Sequence, residues 1–311
     1  MTKISIIGAG FVGQIVGETL AREQVGNEVV LFDIIEGRPQ GLGLDLKESN
    51  SVTLSDTHIY GSNEYAGNLD NSDIVVVTAG FPRKPGMDRM DLLKKNFDIN
   101  KDVVGNIKKY APNAIVIYVA NPVDVMTYAA WKMTGFAHNK VFGMAGILDT
   151  SRFKAFVSME AKVSVKDIQA MVLGGHGDSM VPIISYATIG GIPLTHFLSK
   201  EKIDAIVERT RKGGGEIVSL LKTGSAYFAP GMAVAQMIKS IVYNERRILP
   251  VVAYLDNKYG FNDIFAGVPA VIGKNGIEEV LELKLNPEEN EAFQKSLNAV
   301  KKGIEEVKTL L

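Results

Sequence analysis

Several short groups of residues in this chain have the types and spacing to do chemistry. Gly174-Gly175-His176-Gly177-Asp178-Ser179 follows the apolar run Ile168 to Leu173, so His176 stands at a strand end with glycine on both sides and its imidazole exposed. Imidazole, with an ordinary pKa of about 6.5, is suited to passing a proton near neutral pH. On local sequence a satisfied core histidine fits equally well. Leu148-Asp149-Thr150-Ser151-Arg152 sets an acid and an arginine three apart at a helix start, on neighbouring parts of one face. A capping Asp beside a surface Arg has the same pattern. The stretch from Thr78 to Arg89, Thr-Ala-Gly-Phe-Pro-Arg-Lys-Pro-Gly-Met-Asp-Arg, carries Arg83 and Arg89 in one loop after the buried strand Asp73 to Thr78. Such a loop can grip an anion and close over it, although paired arginines also decorate solvated turns. Asn121-Pro122 closes the strand Ile115 to Ala120 and is equally an ordinary turn opening.

The N-terminus adds a binding pattern. Lys3 to Ile7 is an apolar strand running into Gly8-Ala9-Gly10-Phe11-Val12-Gly13 and then a helical pattern to Glu23. Gly8 permits the tight turn, Gly10 lets backbone N–H groups approach a pyrophosphate, and Gly13 lets helix and strand pack closely, with the helix N-terminus facing the phosphates. A second strand, Val29 to Phe32, ends in Asp33, where a carboxylate can accept ribose hydroxyls and repel a 2′-phosphate. That conjunction points to a dinucleotide, and to NAD over NADP, with Arg38 close by.

Elements of two kinds must position these groups. At 311 residues the chain suggests two domains with ample core. Strands at about 3–8, 28–33, 73–78, 115–120 and 141–143 alternate with helices at 12–24, 40–48, 90–109 and 123–134, which implies a parallel doubly wound sheet over 1–145. From 146 to 311, helices at 150–161, 200–222 and 230–244 mix with strands at 168–173, 183–189, 249–255, 265–272 and 278–285, as in an α+β domain. Pro287 opens a C-terminal amphipathic helix. Gly213-Gly214-Gly215, inside a helical pattern, costs roughly 1 kcal/mol per glycine against alanine, so a kink or a close backbone approach must compensate.

Composition sets limits. Lys and Arg number 34 against 35 acids, which provides no electrostatic footprint for nucleic acid or anionic lipid. No apolar run reaches the ~18 residues of a membrane span and no leader precedes the first strand, so a soluble, cytoplasmic protein is expected. The absence of cysteine excludes disulfides and thiolate metal sites, and no metal is expected.

Taken together, the motifs Gly-Ala-Gly-x-Val-Gly, Thr-Ala-Gly-x-Pro-Arg-Lys-Pro-Gly-Met-x-Arg, Asn-Pro-Val-Asp, Leu-Asp-Thr-Ser-Arg-Phe and Gly-Gly-His-Gly-Asp-Ser resemble, in order and over almost the whole length, the NAD-dependent lactate/malate dehydrogenase superfamily. Within it the chain is most similar to the malate dehydrogenases that share the lactate dehydrogenase architecture. The resemblance implies a Rossmann domain followed by an α+β catalytic domain, and hydride exchange between NAD and a small dicarboxylate. It implies that His176 accepts and donates the proton, Asp149 orients it, Arg152 clamps the C1 carboxylate, and Arg89 polarises the carbonyl from a closing loop. Asn121 becomes a contact to substrate and nicotinamide, and Asn96 a cofactor contact. Val119 and Ala120 form the nicotinamide wall, and residues Gly8, Ala9, Gly10, Phe11, Val12, Gly13 and Asp33 cradle the rest of the cofactor. Family members are dimers or tetramers and serve the tricarboxylic acid cycle.

Specificity is expected to rest on Arg83. A loop closing with a guanidinium inside needs a second negative charge to meet it, which selects the diacid over lactate. Phe81, Pro82, Pro85 and Gly86 suit the lid that would carry it. Lactate dehydrogenase is the nearest alternative and a catalytically silent NAD-binding protein a remote one. A Ser-His-Asp hydrolase is disfavoured because His176, Asp178 and Ser179 are too close in sequence to form a triad and no GxSxG elbow exists. An NAD-dependent glycosidase is disfavoured for want of Cys and paired His ligands.

Overall fold

In the first half, Val- and Ile-rich runs form the buried strands β1 (Lys3–Ile7), β2 (Glu28–Phe32), β4 (Ile74–Val77), β5 (Ile115–Tyr118) and β6 (Val141–Gly143), and a more polar segment forms β3 (His58–Ser62). The computed structural model describes residues 1–81 and 89–311, with the backbone alone at Arg89 and Asp91. The expectations for Arg83, the Arg89 guanidinium, and the lid at Pro82, Pro85 and Gly86 lie outside the described residues. Helices α1 (Phe11–Arg22), α2 (Arg38–Thr53), α3 (Arg89–Tyr110) and α4 (Val123–Thr134) link the strands in the parallel order β3-β2-β1-β4-β5-β6. The order reverses between β1 and β4, so the loops leaving their C-terminal ends flank a crevice.

Strand β3 is absent from the sequence-based expectation. His-Ile-Tyr-Gly-Ser has no apolar run, and only Ile59 and Ser62 of it are buried. It forms because β2 offers a parallel edge over five residues.

The second half contains α5 (Gly146–Ala161), β7 (Ile168–Gln169), β8 (Val172–Leu173), β9 (Val181–Pro182), β10 (Thr188–Ile189), β11 (Ile192–Pro193), α6 (Lys200–Leu221), α7 (Phe228–Val242), β12 (Arg247–Leu255), β13 (Ile264–Gly273), β14 (Gly276–Val280) and α8 (Pro287–Lys308). The strand expected over 168–173 divides in two: β7 pairs with β10, while β8 pairs with β9. The strand expected over 183–189 is instead largely a 3-10 turn at Ile184–Tyr186. There Glu289 accepts both the backbone N–H (2.8 Å) and the hydroxyl (2.6 Å) of Ser185, which draws the segment away from ladder pairing.

A further difference concerns the sheet. β12, β13 and β14 run antiparallel and join the edge at β6 through Val252 opposite Gly143, giving a nine-stranded sheet. The α+β half therefore extends the parallel sheet, and one apolar core runs from Ile4 through Phe142 to Phe265 and Phe293. A smaller core around Phe153, Ile168, Ile189 and Ile203 binds α5 and α6 to the short strands. Pro287 occupies the first turn of α8, whose N-terminus is closed by a reciprocal Asn286–Glu289 capping box.

Candidate active site

The glycine loop after β1 is shaped by contact. Gly8 has φ +111°, and a Cβ there would come within 2.6 Å of Ala79 N and Thr78 Oγ1. Thr78 donates its hydroxyl to the Gly8 carbonyl at 2.7 Å and so ties the end of β4 to this loop. A Cβ on Gly13 would overlap the Gly8 carbonyl oxygen, so only glycine lets α1 approach the strand. Gly10 faces open space and, as the α1 N-cap, provides no side-chain cap. The helix N-terminus is thus left for an external anion.

Asp33, at the end of β2, accepts the Ala9 N–H on Oδ2 and the Ile35 N–H on Oδ1, each at 3.0 Å. A carboxylate has about four acceptor sites, so both oxygens keep capacity for ribose hydroxyls. Arg38 donates Nε to the Ala9 carbonyl at 3.2 Å. An open helix N-terminus with an acid one strand away is a donor and acceptor set that fits NAD. Phe11, 59% exposed, stacks on Tyr227 at the rim of α1.

The loops after β4 and β5 meet beside this cradle. Asn96 of α3 is 3% exposed, and its Oδ1 accepts the Phe81 N–H at 2.6 Å. Its Nδ2 donates to Asn121 O at 2.7 Å and Phe81 O at 3.3 Å. The amide is thereby committed to backbone and holds the two loops together. Val119 and Ala120 are half-buried, Asn121 is exposed, and the Asn121-Pro122 peptide is cis.

His176 is fixed by three consecutive amides. Gly174 N–H reaches Gly267 O of β13 at 2.8 Å, Gly175 N–H reaches Ser296 Oγ of α8 at 2.9 Å, and His176 N–H reaches Asp124 Oδ2 of α4 at 3.0 Å. On α5, Thr150 Oγ1 accepts the Val172 N–H at 2.9 Å, which registers that helix against β8. Asp149, one residue earlier and 2% exposed, then lies with Oδ2 2.8 Å from His176 Nδ1 and Oδ1 3.2 Å from Arg152 Nη1. The sequence-predicted His176, Asp149 and Arg152 are thus one constellation.

Burial pushes the His176 pKa down. The charge and hydrogen bond of Asp149, with the charge of Asp124, more than offset that, so the imidazole sits above its ordinary value of 6.5. Accepting at Nδ1, Asp149 keeps the proton there and leaves Nε2 for a ligand oxygen. Arg152 keeps a buried Nε without a hydrogen-bond partner among the described residues. Unmet donors on a guanidinium already flanked by one acid suit a second, carboxylate partner.

The three glycines of α6 acquire a reason here. A Cβ on Gly213 would stand 3.2 Å from Arg152 Cδ, and one on Gly214 3.6 Å from Arg152 Nη2, whereas one on Gly215 meets nothing within 4 Å. The close backbone approach expected from sequence is to the Arg152 side chain. Gly215→Ala should raise stability by about 0.5–1 kcal/mol with unchanged kcat/KM. Gly213→Ala should displace Arg152 by a few tenths of an ångström and reduce kcat/KM about tenfold. Denaturant titration with steady-state kinetics checks both.

Asp124 and Ser296 escape the sequence reading. Asp124 had a signal, as the acid of Asn-Pro-Val-Asp, whereas Ser296 lies 121 residues from its partner, in the expected C-terminal helix but in no motif.

Residues 2–143 match the model of the lactate/malate dehydrogenase NAD-binding domain, and residues 147–311 that of the lactate/malate dehydrogenase alpha/beta C-terminal domain. The malate dehydrogenase of Roseiflexus castenholzii is 53% identical over 308 residues, covering 99% of each chain. Among solved structures, the malate dehydrogenase of Cryptosporidium parvum has a TM-score of 0.96 at 43% identity, covering 99% of each chain. The lactate dehydrogenase of Cryptosporidium parvum, complexed with lactic acid and nicotinamide adenine dinucleotide, has a TM-score of 0.94 at 42% identity, covering 98% of this chain and 97% of that one.

Proposed function

The chain belongs to the lactate/malate dehydrogenase family, and we propose that within it the protein is an NAD-dependent malate dehydrogenase interconverting (S)-malate and oxaloacetate. The observation that carries this reading is one buried carboxylate shared between an imidazole and a guanidinium, with Asp149 2.8 Å from His176 and 3.2 Å from Arg152. Bound NAD supplies the two-electron redox chemistry. In malate oxidation His176 Nε2 takes the C2 hydroxyl proton, and Asp149 stabilises the resulting imidazolium; in reduction the same nitrogen returns the proton to the oxygen. Arg152 holds the C1 carboxylate with parallel hydrogen bonds, which fixes the carbon beside Nε2. Asn121 contacts the substrate, Asn96 keeps the adjoining loops in register, and Arg89 polarises the carbonyl.

Arg83 supports malate over lactate through charge. A guanidinium enclosed with pyruvate has no counter-ion, at a cost of several kcal/mol, whereas the second carboxylate of oxaloacetate offsets it. The expected result is a kcat/KM for oxaloacetate about 10³-fold above that for pyruvate, and faster turnover with NADH than with NADPH. Arg83→Gln should lower oxaloacetate turnover about 10²-fold and relatively favour pyruvate. A substrate ratio unchanged in that variant would defeat the specificity argument. No NADH oxidation with either acid would defeat the enzyme assignment and favour a silent NAD-binding protein.

A homodimer or homotetramer belongs to the same proposal, supported by exposed Leu44 and Val52 on α2, Leu54 just past its C-terminus and Met159 on α5. So do a cytoplasmic location and a place in the tricarboxylic acid cycle; no helix among the described residues is long and apolar enough to cross a membrane.

A further inference from the structure

We propose that Asp124 is a second positioning carboxylate of the proton-transfer site, anchoring the His176 loop through its backbone and adding its own negative charge to that of Asp149 around the imidazole. The inference rests on the proposed dehydrogenase reading for its effect on rate.

Asp124 is the first-turn acid of α4, three residues after Asn121, and is 6% exposed. Its Oδ2 accepts the His176 N–H at 3.0 Å. Its Oδ1 is buried without a hydrogen-bond partner among the described residues. A buried acceptor left unmatched is costly, and a carboxylate more so than an amide. Asn or Ser could accept the same backbone N–H with no charge to bury. Loop anchoring alone therefore does not account for an acid here, while a cation-forming ring on the residue it anchors does.

Among the described residues, the charged groups around the ring are Asp149 and Arg152 from α5 and Asp124 from α4; Asp124 itself faces His176 and Asp149. The Asp124 carboxyl stands at about 6, raised chiefly by burial and also by the charge of Asp149, against the lowering pull of the His176 N–H, the imidazolium and the Asp124 backbone N–H. Above that pH Asp124 is ionised and favours the imidazolium. Below it, Asp124 takes a proton and part of that support is withdrawn, so the two groups titrate as a coupled pair.

Asp124→Asn in the full chain keeps the shape and the acceptor and removes the charge. Titration of the His176 ring by NMR without substrate, assigned by its loss in His176→Gln, is expected to show the midpoint lowered by about 0.5–1 pH unit, a ~3–10-fold loss of proton affinity. Reduction of oxaloacetate needs protonated His176, so the alkaline limb of its kcat/KM profile should move down equally. Because the folded Asp124 value lies above the unfolded one of 3.8, its stability contribution is present below that pH and lost as pH rises through about 6. The variant should accordingly melt higher than the wild type at about pH 8, the gap closing near about pH 4.

An unmoved ring midpoint and limb, with a lower melting temperature at about pH 8, would reduce Asp124 to a loop anchor and overturn the proposal. If the variant does not fold, the wild-type His176 backbone amide decides: its resonance should move with a midpoint near about 6, and an amide following the ring alone would overturn it. Failure of the wild type to reduce oxaloacetate would overturn the dehydrogenase reading and the rate effect, while the ring midpoint would still decide the electrostatic role.

Discussion

Asp149→Asn is expected to lower kcat/KM for oxaloacetate about 10²–10⁴-fold near pH 7.5, the range set by loss of positioned acid–base catalysis. The wild-type carboxylate makes two contacts at once, to His176 Nδ1 at 2.8 Å and to Arg152 Nη1 at 3.2 Å. An amide can serve either neighbour, but it has no charge to offset the burial that pushes the imidazole pKa down. With that offset gone, the ring pKa falls and less of the ring carries the proton needed by the carbonyl oxygen near pH 7.5. The amide can also donate to Nδ1, which would put the ring proton on Nε2 and deny the hydroxyl of malate its acceptor. Both directions should slow, and the alkaline limb for oxaloacetate reduction should shift to lower pH by about one unit or more. A full pH profile of kcat/KM checks it; a uniform loss with unmoved limbs would mean that Asp149 only fills space.

Replacing Arg152 by Gln is expected to lower kcat/KM by about 10²–10³-fold, most of it in KM, as when one partner of a buried charge pair is truncated. The Arg152 side chain is 13% exposed, with Asp149 on one side and, on the other, the space that Gly213 and Gly214 leave by lacking a Cβ. That packing aims a planar fork at one point, which a neutral amide cannot reproduce with two parallel charge-assisted bonds. A second signature follows from sign. Arg152 lowers the His176 pKa, so the variant should move the alkaline limb of oxaloacetate reduction upward, opposite to Asp149→Asn. Opposed limb shifts in the two variants would isolate the charge of each residue from its packing.

The first half of the fold is legible in sequence because parallel strands buried on both faces must be apolar throughout, and Ile74–Val77 and Ile115–Tyr118 are. β3 is illegible for the same reason in reverse: its polar composition is tolerated because an edge strand borrows its pairing from β2. The break of 168–173 into β7 and β8 depends on partners far along the chain. The attachment of β12 to β6 rests on a bridge between Val252 and Gly143 that neither segment announces.

By itself the sequence presented the dinucleotide loop and the acid at Asp33 through side-chain type and short spacing, and it offered His176, Asp149 and Arg152 as candidates only through the order of their motifs in the resemblance to the dehydrogenase superfamily. Only the tertiary structure decided that Asp149 and His176, 27 residues apart, share a hydrogen bond, and that Ser296 and Asp124 pin the histidine loop. It likewise decided that the α6 glycines make room for Arg152. Spacing along a chain fixes which groups can act, whereas proton affinity and aim depend on distances between elements, which are set by how the core packs.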